Sequence, residues 1–222
     1  MVDYFFTVGQ KQSNNTLVVY PKFKDKIYAI GNPRFDILKK DVRKFYFEEA
    51  EKVKEKYGKF IFLASKFTKL NNVWIKGVPK DVPNDIGKTV LVEDFSDQKK
   101  IEKKLIRFLK TVPKKYPKIK FVVRPHPVED ENYWKKLLKK INSKNLVLGD
   151  KEFSTNSYIL ASEFNIGSNC HTSLESFLCN KPTINIRADK KDSIVISEVI
   201  RAVSSEEVLE ISELDKLINN CT

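Results

Sequence analysis

The chain has 222 residues, and 41 Lys and Arg against 29 Asp and Glu give a formal net charge of +12 at neutral pH. Hydrophobic residues at 41% and charged residues at 32% suit a folded globule with a well-solvated exterior and argue against intrinsic disorder. No run approaches 18 apolar residues, the opening MVDYFFTVGQKQSNN lacks a basic start and a long apolar stretch, and Cys170, Cys179 and Cys221 are too few and too scattered for a disulfide framework, so a spanning helix, a secretion signal and an oxidising compartment are unsupported and a cytoplasmic location is expected.

Residues 1–36 read as a weakly patterned lead-in, in which KIYAI (26–30) is a short strand ended by Gly31-Asn32-Pro33. Residues 41–57 carry helical spacing and stop at Gly58. The apolar, β-rich run KFIFLAS (59–65) follows. The stretch from 66 to about 96 is too long for an ordinary connection, so it is expected to hide a hairpin built from VWI and TVLV or to form an insertion near a site. Beyond it the pattern gives helix 98–111, strand IKFVV (119–123), helix 129–142, strand LVL (146–148) and a short helix at 155–161. Strand FNIG (164–167), helix 171–179, strand TINI (183–186) and helices near 193–203 and 205–219 complete the chain. Strands alternating with helices of this length predict an α/β fold, a Rossmann-like doubly wound and mostly parallel sheet over residues 37–222.

Lysine pairs at 99–100, 103–104, 114–115, 135–136 and 139–140 recur beside Leu and Ile at helical spacing, as on the wet face of an amphipathic helix. They have no interleaved aromatics, zinc-finger spacing or RNP-like string, so nucleic acid is not an expected partner. A peripheral contact with an anionic membrane face stays open.

The usual phosphate fingerprints are absent. No GxGxxG follows the first strand, and Gly87-Lys88-Thr89 has no glycine five positions earlier and precedes TVLV, which reads as strand where a P-loop needs helix. HExxH, GxSxG and DxD are also missing. No metal site and no cofactor are therefore expected.

Arg124-Pro125-His126-Pro127 directly follows strand IKFVV, where ligands gather in open α/β sheets. The prolines restrict the backbone on both sides of the histidine, holding an imidazole beside a guanidinium that offers forked donors to phosphate. The same residues also fit a plain turn in which Pro127 opens the acidic first turn of a helix.

A second group, Gly167-Ser168-Asn169-Cys170-His171-Thr172-Ser173-Leu174-Glu175, again runs from a strand into a helix. Hydroxyls and unpaired N–H groups at a helix start make an anion cradle. Glu175, one turn in, fits two roles: an acceptor for a ribose diol, or the partner of Thr172 in a capping box. His171 is either a phosphate donor or a surface residue. Gly31-Asn32-Pro33-Arg34-Phe35-Asp36 has capping grammar that explains its shape, leaving Arg34 and Asp36 as candidates for a cleft.

GNPRFD (31–36), VVRPHP (122–127) and SNCHTSLESFLCNKPTIN (168–185), in this order and at these intervals, resemble the C-terminal half of bacterial surface-carbohydrate or capsule-polysaccharide biosynthesis proteins, which are GT-B glycosyltransferases. The arrangement is also similar to CMP-sugar-using sialyl- and Kdo-transferases and to CDP-glycerol glycerophosphotransferases, over about residues 1–190. The resemblance implies an inverting, metal-independent transferase whose donor is a CMP- or CDP-linked sugar. It implies that Arg124 and His126 contact the donor phosphate, with His126 the catalytic candidate. Ser168, Asn169, Thr172 and Ser173 then surround that phosphate and Glu175 meets the ribose. A glycan or lipid-linked acceptor is the implied second substrate.

GT-B enzymes place the acceptor and usually the catalytic base in an N-terminal Rossmann-like domain, whereas this chain carries one such unit and a lead-in. The expectation is a truncated or split enzyme, or a nucleotide-binding module that works with an N-terminal-half protein partner. Two alternatives stand beside it, a CDP-alditol phosphotransferase domain and a non-catalytic basic module that binds an anionic membrane or a protein.

Overall fold

The computed structural model of the chain describes residues 3–74, 86–168, 170–189 and 198–221. Two compact units make up the chain, Met1–Lys44 and Phe45–Thr222.

The first unit is more ordered than its sequence pattern predicts. Strand β1 (Phe5–Thr7) leads into helix α1 (Gln10–Val19), a 3-10 turn (Pro21–Lys26), strand β2 (Ile27–Ala29) and the single helical turn α2 (Pro33–Asp36). β1 and β2 pair in parallel, with Phe5 opposite Ile27 and Phe6 opposite Tyr28. Helix α1 escaped the periodicity because it has no apolar stripe; only Ser13 on it is buried, and its hydroxyl meets that of Thr7 at 2.5 Å. The capping grammar at Asn32 is realised, since Asn32 Oδ1 accepts the Arg34 N–H at 3.1 Å.

In the second unit, α3 (Phe47–Tyr57) is followed by β3 (Phe60–Ala64), α4 (Ile86–Lys115), β4 (Lys120–Arg124), α5 (Glu131–Ile141), β5 (Leu146–Leu148) and α6 (Thr155–Ala161). Then come β6 (Asn165–Gly167), α7 (His171–Leu178), β7 (Thr183–Ile186), α8 (Glu198–Val203), β8 (Glu206–Val208) and α9 (Ile211–Cys221). Six strands form one sheet in the order β5-β4-β3-β6-β7-β8, every pair parallel. The chain thus starts in the middle, works outward to β5, returns to the other side of β3 and works outward again. This is the strand order of a doubly wound Rossmann-like sheet, and its switch point lies between β3 and β6.

Alternation along the strands sends residues to two apolar layers. Ile61, Leu63, Phe121, Val123, Ile166 and Ile184 pack with Leu105, Phe108 and Leu109 of α4, Trp134 of α5 and Leu214 of α9. On the other face, Phe62 stacks on Tyr158 of α6 with ring centroids 5.3 Å apart, and Phe60 meets both Tyr158 and Tyr57 of α3. Gly58 ends α3 at φ 67°, a left-handed conformation that glycine adopts without strain, and its N–H closes on the Lys54 carbonyl at 2.7 Å. No helix among the described residues is long and apolar enough to cross a membrane.

Several expected boundaries move. Residues 89–92, expected as strand TVLV, lie inside α4, whose amphipathic pattern continues into the lysine-rich stretch and carries these β-branched residues with it. Val73 and Trp74 sit in a bend, and Ile75 lies outside the described residues. The helix expected from 41 begins at Phe47, after a 3-10 turn (Arg43–Tyr46). The helix expected over 205–219 divides into β8 and α9, and residues 193–197 of the preceding one lie outside the described residues.

Candidate functional site

β4 and β6 both border β3, so the loops that leave them stand on either side of it at one edge of the sheet. The register aligns Arg124 with Ala64, and a Cβ on Gly167 would come 4.0 Å from the Ala64 carbonyl. With neighbouring strands about 4.8 Å apart, the two loops begin about 10 Å from each other across β3. That distance suits a ligand that spans the switch point.

Arg124 closes β4 on the face lined by α3 and α6. Its Nη1 donates to the Phe153 carbonyl and its Cζ lies 5.1 Å from the centre of the Tyr158 ring, a cation–π contact. Burial pushes the guanidinium pKa down, and the Tyr158 hydroxyl and the Glu49 carboxylate oppose the shift. Glu49 of α3 in turn accepts from Ser154 N–H at 3.2 Å, from Ser154 Oγ at 2.6 Å and from Ser157 Oγ. Arg124 is therefore held by a built scaffold, and one bond to Phe153 still leaves it several donors.

His126 is half-buried, and its Nδ1 accepts the Val128 N–H at 3.3 Å. With Nδ1 accepting, the ring proton is carried on Nε2. The helix does not begin at Pro127. Its N-cap is Asp130, which accepts the Asn132 N–H at 2.9 Å, and the intervening Glu129 turns inward. Glu129 is 3% exposed. Its Oε1 accepts the Phe67 N–H at 2.7 Å, and its Oε2 accepts Ser65 Oγ at 2.9 Å and Trp134 Nε1 at 2.8 Å. The Glu129 N–H donates to the His126 carbonyl at 2.8 Å. One buried carboxylate thus clamps the end of β3, the His126 loop and α5 together. Burial drives its pKa up, and the three donors to its side chain oppose the shift.

On the other side of β3, Cys170 is the N-cap of α7 and offers no side-chain cap. The capping-box alternative is not formed, because Thr172 lies inside the helix instead of at its cap. At this start the Ser173 N–H turns back to the Cys170 carbonyl at 3.0 Å, and the Cys170 side chain caps none of the first turn. Ser168 and Thr172 are each 7% exposed, Glu175 is 1% exposed, and His171 is exposed. Ser173 is fully buried, and its Oγ has no hydrogen-bond partner among the described residues. Asn169 lies outside the described residues. Cys170 and Cys179 are buried.

The second unit therefore brings Arg124, His126, Ser168, Thr172, Ser173 and Glu175 to one edge of one sheet. Arg34 and Asp36 belong to the first unit, where Asp36 pairs with Lys39 at 2.7 Å on the exposed α2 turn. Sequence reasoning missed Glu129, Ser65, Glu49 and Tyr158. Ser65 carried a signal, a hydroxyl at the carboxyl end of the central strand; Glu129 was masked by an acidic run that fits a helix start equally well. Among the described residues no group of three His, Cys, Asp or Glu side chains is arranged to hold a metal ion.

Comparison with protein-family models and with curated protein sequences gives no match. Solved structures do match. The wall teichoic acid polymerase TagF superposes with a TM-score of 0.60 at 14% identity, over 99% of this chain and 48% of that one. The UDP-GlcNAc 2-epimerase of Methanocaldococcus jannaschii, in complex with UDP-GlcNAc and UDP, gives 0.59 at 15% identity over 99% and 54%. The epimerase of Neisseria meningitidis bound to UDP-GlcNAc gives 0.57 at 15% identity over 98% and 52%. The chain spans about half the length of these structures, and its fold is the Rossmann-like, doubly wound α/β arrangement that they share.

Proposed function

We propose that the second unit binds a nucleotide sugar at the β3–β6 switch point, as the donor-binding half of a surface-polysaccharide glycosyltransferase. The observation that carries this reading is the pairing of the Arg124–His126 loop with the hydroxyl-lined start of α7 across a single strand. A donor phosphate in that gap meets the His126 Nε2–H and the Arg124 guanidinium from one side and the start of α7, whose macrodipole favours an anion, from the other. Departure of the nucleotide concentrates negative charge on that phosphate, and donors already oriented toward it lower the barrier. His126 Nε2–H supplies a hydrogen bond at the leaving oxygen. Glu175 serves the ribose hydroxyls from within α7, and a CMP- or CDP-linked sugar is the proposed donor. The acceptor, a glycan or lipid-linked molecule, and its binding half come from outside the second unit.

A thermal-shift titration tests the reading. At one hundred times Kd, a nucleotide stabilises by about 2.7 kcal/mol, roughly 5–10 °C in melting temperature for a domain of this size. CMP and CDP should produce that shift, His126→Ala should remove most of it while leaving the weaker response to cytidine, and Glu175→Gln should narrow the difference between ribo- and 2′-deoxycytidine phosphates. Unchanged melting of the wild type at millimolar CMP, CDP and UDP sinks the proposal.

A further inference from the structure

The first unit contains a cleft that nucleotide binding does not use. It encloses about 290 Å³ between the β1–β2 ladder, α1 and the 3-10 turn, roughly ten water-sized volumes. Its floor is Phe5 and Ile27, which face each other across the parallel pair. Tyr20 and Phe23 form one wall, their rings edge to face at 6.4 Å. Thr16 keeps its hydroxyl on the Gln12 carbonyl at 2.9 Å, so that group is already satisfied within α1. Among the described residues Lys26 is the one charged side chain in the lining.

The surroundings are equally one-sided. Tyr4, Tyr20 and Phe23 at the rim are 59%, 55% and 43% exposed, and Val18 and Val19 on α1 beside them are 83% and 65% exposed. Apolar surface on this scale marks an interaction site. The 3-10 turn adds Lys22 and Lys24 to Lys26 against the single Asp25, and the first 44 residues hold nine Lys and Arg against four Asp. Water in such a cleft finds few partners, whereas hydrocarbon loses nothing by entering.

We propose that this cleft takes the hydrocarbon end of an anionic amphiphile, an alkyl or prenyl chain that carries a phosphate head. The chain lies against Phe5, Phe23 and Ile27, and the Lys26 ammonium meets the head, with Lys22 and Lys24 adding longer-range attraction. The assignment is independent of the donor site, because every residue it uses lies in the first unit.

The test uses the full chain and dodecyl phosphate below its micellar concentration as the probe, followed by calorimetry. Saturable binding at one site is expected, with inorganic phosphate inert at the same concentration. Lys26→Glu should weaken binding at least tenfold, and Phe23→Asp should abolish it. Circular dichroism melting checks that both variants fold, and the CMP shift is read in parallel, so that either site fails or holds on its own. Vesicles of phosphatidylcholine with and without phosphatidylglycerol separate two sources of the same chemistry. Co-sedimentation that needs phosphatidylglycerol and is lost in both variants assigns the cleft to bilayer lipid, while dodecyl phosphate binding without co-sedimentation assigns it to a freely bound lipid phosphate. No binding of dodecyl phosphate overturns the proposal, as does binding that both variants retain. A dimer in sedimentation velocity that Phe23→Asp dissociates and dodecyl phosphate leaves intact gives the cleft to a second copy, and also overturns it.

Discussion

Ser173 occupies a position where folding and binding pull in opposite directions. It is fully buried, its Oγ has no partner among the described residues, and a Cβ on Gly167 would meet that oxygen at 3.4 Å. An unsatisfied buried hydroxyl costs about 1–3 kcal/mol. Ser173→Ala should therefore raise the melting temperature of the unliganded protein, by roughly 2–12 °C on that cost, while weakening CMP binding. A variant that is destabilised, or that binds CMP as the wild type does, removes Ser173 from the site. Much of this loop and of Arg124-Pro125-His126-Pro127 was legible in the sequence, because small hydroxyl residues and rigid prolines directly after apolar strands carry positional information. The placement of Glu129 was not legible. Its neighbours Asp130 and Glu131 fit the start of α5 as well as it does, and only tertiary donors from Ser65, Phe67 and Trp134 decide which acid turns inward.

At the scale of elements, α3 and α6 are joined by Glu49, which binds both the cap residue Ser154 and Ser157 of the next helix. Burial pushes the Glu49 carboxyl up, but the hydrogen bonds from Ser154 and Ser157 prevail and hold its pKa below the ordinary 4.5. The folded form then binds its proton less readily than the unfolded chain, so the stabilisation is complete above pH 4.5 and drains away as pH falls through the lowered folded value. The wild type should melt above Glu49→Gln by a constant margin near neutrality, and the margin should shrink below pH 4.5. A margin that is flat across the acid range contradicts the lowered pKa. The same two helices show why element boundaries were only partly readable. Ala50, Val53 and Tyr57 mark α3 by their spacing, whereas residues 89–92 are β-branched and leucine residues that suit a strand locally, and only the long amphipathic run beyond them makes α4 of the whole. In α1 no stripe exists to be read.

For the whole second unit, the strand order determines where chemistry is possible. A sheet that starts at β3, leaves in one direction to β5 and returns to β6 leaves adjacent strands whose following loops diverge, and the gap between them opens at their carboxyl ends. Glu129 ties the end of β3 to the β4 loop on one side of that gap, and Gly167 brings α7 close to it on the other. A ligand held by both sides must then quiet both, although they are separated by more than 40 residues of sequence. Hydrogen exchange with saturating CMP should slow residues 65–67, 124–128 and 170–175 together. The outer strands β5 and β8, at the two ends of the sheet, should exchange as before. Slowing confined to the His126 loop would make that loop a phosphate site on its own and α7 a bystander, and slowing spread evenly over all six strands would mean that CMP raises global stability without engaging this edge in particular.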